Sequence, residues 1–205
     1  MSIPSANFGI LMLLEELHIQ CRLFERNIEH LEDAADHWIK MNRGEDFDRK
    51  VPPMDILAWC TVCLSTMAAI RHLLVSGRAE PIADERRRVL REFLGNPGLT
   101  NVATPKVRDS WEHLDERLDS IVPSMRSGAI SHIHVAATPP SAGTIALKRF
   151  DPLTFTIYFA DQGIPLRPAV AEIAMLRASL DEAMRRLQNE VVLPWGSAAV
   201  ATPDA

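Results

Sequence analysis

The chain has 205 residues, 47% of them hydrophobic and 24% charged, with a formal net charge of -5. That length allows one domain with a sizeable core, and the composition is that of an ordinary soluble globular protein. The acidic balance argues against a protein that coats nucleic acid through bulk electrostatics, though it leaves room for an RNA-acting enzyme with a locally basic cleft.

The opening MSIPSANFGILMLLEELHIQ has no basic leader region, and its apolar run breaks at Glu15 and Glu16. It therefore predicts neither a signal peptide nor a membrane span. From about Asn7 to Asn42, Ile10, Leu14, Leu17, Cys21, Phe24, Ile28, Leu31 and Trp38 recur close to a 3.6-residue period, which predicts an amphipathic helix. NRGEDFDRKVPP is a polar break ending in two prolines, hence a loop. Met54 to about Ser76 is apolar on nearly all sides, the mark of a central buried helix, with Gly77 as its stop. Cys60 and Cys63 form a C-x-x-C inside that apolar run, without turn residues or a second pair, so they read as core rather than as metal ligands. Three cysteines make no disulfide framework, and the expected compartment is a reducing cytoplasm.

A third helix runs from about Ile82 to Leu94 and ends at GNPG. It carries Arg87, Arg88 and Arg91 in ERRRVLRE, a set expected to share one face. That face either receives RNA or is simply solvated. Thr104 then stands as an N-cap with Pro105 at the first helical position, opening a helix closed by Pro123. After Ser127 the pattern changes: alternation around Ile133 and Val135 is followed by TIALKRF, the turn DPLT and TFTIYFA, which predict a hairpin. DQG makes another turn. Pro168 opens a last helix with Val170, Ile173, Leu176, Leu180 and Leu187 as its stripe, before a loose tail over 196–205.

The helix after Thr104 contains VRDSWEHLDERLDS, residues 107–120. Val107, Trp111, Leu114, Leu118 and Ile121 fall on one docking stripe, while Asp109, His113 and Glu116 lie opposite, flanked by Glu112 and Arg117. Pairs four apart, such as Asp109 with His113 and His113 with Arg117, are the ordinary furniture of a solvated helix face. The spacing Arg108-x4-His113 carries little by itself, because 18 arginines and seven histidines give about 1.8 chance matches to R-x(4–6)-H in such a chain. A second match, Arg126 to His132, crosses the expected break at Ser127-Gly128.

Context distinguishes the first match: it follows three helices, has Asp109 directly after the arginine, and continues as EHLDERLD. In this it resembles the HEPN superfamily, helical-bundle domains that carry R-x(4–6)-H with a polar residue after the arginine. The resemblance covers roughly Ala6 to Val122, with the last helix completing the bundle. It implies a mainly α fold: a HEPN-like helical bundle over about 6–122 and 168–190, in one domain; the small antiparallel β hairpin or meander read from the sequence over about 128–166 is an insertion outside the minimal HEPN pattern.

The resemblance further implies metal-independent endoribonuclease chemistry, with the motif contributed by both subunits of a homodimer. RNA holds its own nucleophile, the 2′-hydroxyl, beside the phosphodiester. His113 then serves as general base or acid, Arg108 holds the phosphate bidentately, and Asp109 orients an Arg or His across the interface. Positions 108 and 113 lie about 140° apart around a helix and about 7.5 Å along it. One straight helix therefore cannot aim both at one small site, whereas a two-fold dimer through Glu112, Glu116 and Arg117 can gather them. The expected partners are a second copy, an RNA substrate and an antitoxin-type protein; no membrane, DNA, cofactor or metal is called for. The alternative is a non-catalytic HEPN-like module whose charged helix makes a dimerisation or partner surface.

Two further constellations carry less. His132 and His134 share a side of a strand, a metal-compatible spacing with no third ligand nearby in sequence. Glu15-x-x-His18 lacks the second copy a di-iron bundle needs. Trp38, Trp59 and Trp111 sit on apolar stripes and are expected in the core.

Overall fold

A computed structural model describes residues 3–45, 51–75, 81–104, 119, 121, 129–137 and 144–195. Among them are four long helices: α1 (Ile3–Asn42), α2 (Pro53–Leu74), α3 (Pro81–Phe93) and α4 (Leu166–Trp195). Between α3 and α4 lie four strands: β1 (Ala129–Val135), β2 (Thr144–Asp151), β3 (Thr156–Phe159) and β4 (Gln162–Pro165). The mainly helical reading with a small β element before the last helix is therefore what the chain adopts.

The 3.6-residue stripe of α1 becomes a buried seam of Leu14, Leu17, Cys21, Phe24, Ile28, Leu31 and Ala35. Helix α2 packs against it through Ile56, Cys60, Cys63, Leu64, Met67, Ile70 and Leu74. This helix is long and apolar enough to cross a membrane by length and composition, yet nine of its residues are buried in this fold. On another flank of α1 lies α4, presenting Ala169, Ile173, Leu176, Leu180, Ala183 and Leu187. Glu25 of α1 and Arg177 of α4 form an ion pair across that contact.

Prolines and glycine set the helix ends. Pro52 caps α2 in an extended conformation, and Pro53 occupies its first turn, where the missing N–H is no loss. Helix α4 begins at Leu166 rather than at Pro168, because a proline is equally tolerated inside the first turn. At the end of α3, Gly95 takes φ 74° and Asn96 φ 53°. The Asn96 N–H donates to the Arg91 carbonyl at 2.7 Å and the Gly95 N–H to that of Glu92 at 3.1 Å, a left-handed cap that stops the helix at GNPG.

The sheet has the order β1-β2-β3-β4. The hairpin through DPLT forms as the sequence predicts: β2 and β3 are antiparallel, with Arg149 opposite Tyr158 and Asp151 opposite Thr156. Its turn is fastened by Asp151, whose carboxylate accepts from the backbone N–H of Leu153 at 2.9 Å and of Thr154 at 3.1 Å. Strand β4 extends the meander antiparallel to β3.

The expectation of a wholly antiparallel element is overturned at β1, which pairs parallel to β2, with Ala129 opposite Thr144 and Val135 opposite Phe150. A parallel return normally takes a dozen or more residues. Here residues 136–143 separate the strands. Nine Cα steps reach roughly 30 Å at most, enough to run back along a seven-residue strand of about 23 Å. The sheet is therefore mixed. One face, from Phe150, Ile157, Phe159 and Ile164, joins the helical core.

Candidate functional site

The segment just ahead of position 105 is tied down by one carboxylate. Glu172, buried in the first turns of α4, accepts hydrogen bonds from the Asn101 backbone N–H at 3.0 Å to each oxygen, from Asn101 Nδ2 at 2.7 Å, and from the Val102 N–H at 2.9 Å. Leu99 and Val102 are buried on either side of this anchor. An ionised carboxylate that takes up several N–H groups satisfies loop donors that burial would otherwise strand. Asn101 and Val102 are thus held to α4. Nothing in the sequence pattern singled out Glu172, since one glutamate on a helix is not distinguishable from its solvated neighbours.

Arg108, Asp109, Glu112, His113, Glu116 and Arg117 lie outside the described residues, as does Trp111. Of the residues that follow them in the sequence, Asp119 and Ile121 are described, and both are helical. Ile121 is half-buried against the core, the side its stripe assigns to it, and Asp119 is exposed.

The three arginines of α3 do not share one exposed face. Arg87 is buried and paired with Asp84. Arg88 is exposed but held between Glu85, at 2.6 and 2.9 Å, and Glu92, at 2.8 Å. Its hydrogen bonds hold the Glu85 carboxyl below the usual carboxylate range. Arg91 is half-buried, its Nε enclosed and without a hydrogen-bond partner among the described residues. Carboxylates one turn away thus neutralise Arg87 and Arg88 locally, which leaves this helix poorly suited to receiving a phosphate backbone. The ERRRVLRE run concealed this because its acids bracket its bases at helical spacing, with Asp84 just ahead of it.

The cysteines are free and buried. Burial pushes the Cys63 thiol up to about 12, and burial together with the nearby Glu25 charge does the same for Cys21. Cys60 is likewise raised by burial. Such thiols are core, not nucleophiles. His134, in β1, has its Nε2 enclosed without a hydrogen-bond partner among the described residues; the side chain of His132 lies outside them. Among the described residues no group of three His, Cys, Asp or Glu is placed to hold a metal ion.

Two adjoining depressions lie where the second half of α1 meets the start of α2. One, of about 400 Å³, is lined by His37, Trp38, Met41, Pro52, Ile56 and Val135 among others. The other, of about 190 Å³, includes His30, Asp33, His37 and Trp59. Trp38 and Trp59, expected in the core, are thus half-buried and face a groove, with His30 stacked on Trp59 at 5.0 Å between ring centroids. Periodicity placed them on the apolar stripe but does not say where that stripe runs past its covering helix.

Comparison with family models, curated proteins and solved structures finds no match for this chain.

Proposed function

We propose that the protein is a metal-independent endoribonuclease of HEPN type, acting through Arg108 and His113. The observation that carries the reading is the run RDSWEHLDERLD, in which arginine, a polar residue and histidine follow the HEPN spacing. Two features are compatible with it: a bundle of long helices precedes the run, and Glu172 anchors the chain just ahead of it.

In this reading the substrate is RNA, and the 2′-oxygen attacks the adjacent phosphorus. The bond from phosphorus to the 5′-oxygen breaks. The 2′-proton passes to one imidazole and the leaving 5′-oxygen receives a proton from an acid in the same cleft. The products end in a 2′,3′-cyclic phosphate and a 5′-hydroxyl. Arg108 neutralises the charge that grows on the phosphoryl oxygens. Because positions 108 and 113 diverge around a helix, two copies of the chain build the cleft.

A second reading is favoured by the internal pairing of Arg87 and Arg88, which reduces the free basic charge of the helix nearest in sequence before the motif. In it the chain is a non-catalytic helical module whose charged helix binds a partner. Incubation of a fluorescent mixed-sequence RNA in EDTA separates the two, comparing wild type with His113→Ala and His132→Ala. The ribonuclease reading expects cleavage lost in His113→Ala alone. No cleavage by folded protein across several RNAs transfers the assignment to the module.

A further inference from the structure

Helix α1 carries a second seam on the side away from its core. Met12, Ile19 and Leu23 are large apolar residues left 49%, 51% and 42% exposed. With the exposed Glu16, Arg26 and His30 they form the series 12, 16, 19, 23, 26, 30. Its steps of four and three alternate without a break, the 3.5-residue repeat by which one helix seats against another. All six positions fall within about 80° of one another around the helix, at 100° per residue. The core stripe through Leu14, Leu17, Cys21 and Phe24 lies on the opposite side.

The charges on this seam specify its occupant. The acid stands toward the N-terminal end, the base toward the C-terminal end, and the apolar pair Ile19 and Leu23 between them. An identical helix laid antiparallel, with its two-fold axis midway between Ile19 and Leu23, sets Ile19 against Leu23 and Glu16 against Arg26, each contact occurring twice. Met12 then meets His30, itself stacked on Trp59 of α2, at the rims. A parallel copy would instead oppose Glu16 to Glu16 and Arg26 to Arg26. An isologous interface requires a patch complementary to itself under a two-fold rotation, and this seam meets that condition in both charge and apolarity. Arg26 makes no ion pair among the described residues. Among the described residues Glu16 accepts a hydrogen bond from Gln20 of its own helix alone, at 2.7 Å, so both side chains can reach across.

We infer that the outer face of α1 is a homodimer surface, formed by antiparallel pairing of Met12, Glu16, Ile19, Leu23, Arg26 and His30 with the same residues of a second copy. The pairing does not rest on the ribonuclease reading, since it involves a different helix and is read out by mass rather than by cleavage.

Sedimentation equilibrium of the full chain tests it with wild type, Glu16→Arg, Arg26→Glu and the double variant carrying both changes. All positions are exposed, and circular dichroism verifies that each variant is folded. The expected result is a wild-type association step through this face, additional to any pairing made through Arg108 and His113, whose dissociation constant rises at least about tenfold in either single variant, where like charges face each other, and returns to within about threefold in the double variant, where the pairs are restored in reverse. Leu23→Glu, which puts a charge into the apolar centre, abolishes that step without rescue. A monomeric wild type, a dimer indifferent to all four changes, or single-variant losses that the double variant does not repair would each overturn the inference.

Discussion

Glu172 shows how much one side chain can organise. Its carboxylate is the acceptor for four hydrogen bonds from Asn101 and Val102, and it is buried. Truncation to alanine leaves those donors without partners in a closed site, at a cost of about 2–4 kcal/mol. Urea unfolding of Glu172→Ala is expected to show a loss of that size; a midpoint within error of wild type would mean that the loop finds other acceptors. The cysteines make a second prediction at this scale. Cys21 and Cys63 are held up to about 12 by burial, against an ordinary value of 9.0. The folded protein keeps these protons while the unfolded chain releases them, so their contribution to stability is intact below about pH 9 and is lost as pH rises toward 12. Unfolding midpoints measured at pH 8 and pH 10 should fall across that interval, and fall less in a Cys21→Ala/Cys63→Ala variant. An identical fall in that variant would assign the alkaline loss to other groups.

Among the elements, the sheet shows what sequence reading can and cannot reach. The row Arg149, Tyr158 and Gly163 crosses β2, β3 and β4 in register. The guanidinium sits 3.8 Å from the Tyr158 ring centroid, and a Cβ on Gly163 would stand 2.7 Å from that ring. Gly163→Ala therefore pushes Tyr158 off its place and costs about 1–3 kcal/mol; thermal unfolding of that variant measures it, and an unchanged midpoint would mean that the ring moves freely. The hairpin through DPLT was legible because Asp and Pro at fixed turn positions act locally. So was the buried seam of α1, since a 3.6-residue period states which side docks. The parallel pairing of β1 was not legible, because the direction of a strand depends on how a connection returns, which composition does not encode. Nor were the neutralised arginines of α3: Arg87 and Arg88 look basic one by one, and only their rotation onto Asp84, Glu85 and Glu92 cancels them. The groove beside Trp38 and Trp59 eluded the pattern for a related reason, since apolar periodicity continues past the point where α2 stops covering α1.

At the scale of the whole molecule, two long helices and α4 enclose the core, and the mixed sheet closes one side of it. The outer face of α1 is complementary to itself, and the proposed ribonuclease would need a second copy to gather Arg108 and His113 in one cleft. The ends of the RNA products test the proposed chemistry most directly. Wild-type protein incubated in EDTA with a short RNA, beside the same RNA bearing a single 2′-deoxy sugar at the mapped cleavage position, is followed by mass spectrometry. The account predicts 2′,3′-cyclic phosphate ends from the first substrate, none from the second, and none from either with His113→Ala. Cleavage that survives the 2′-deoxy sugar, or persists in His113→Ala, would contradict it.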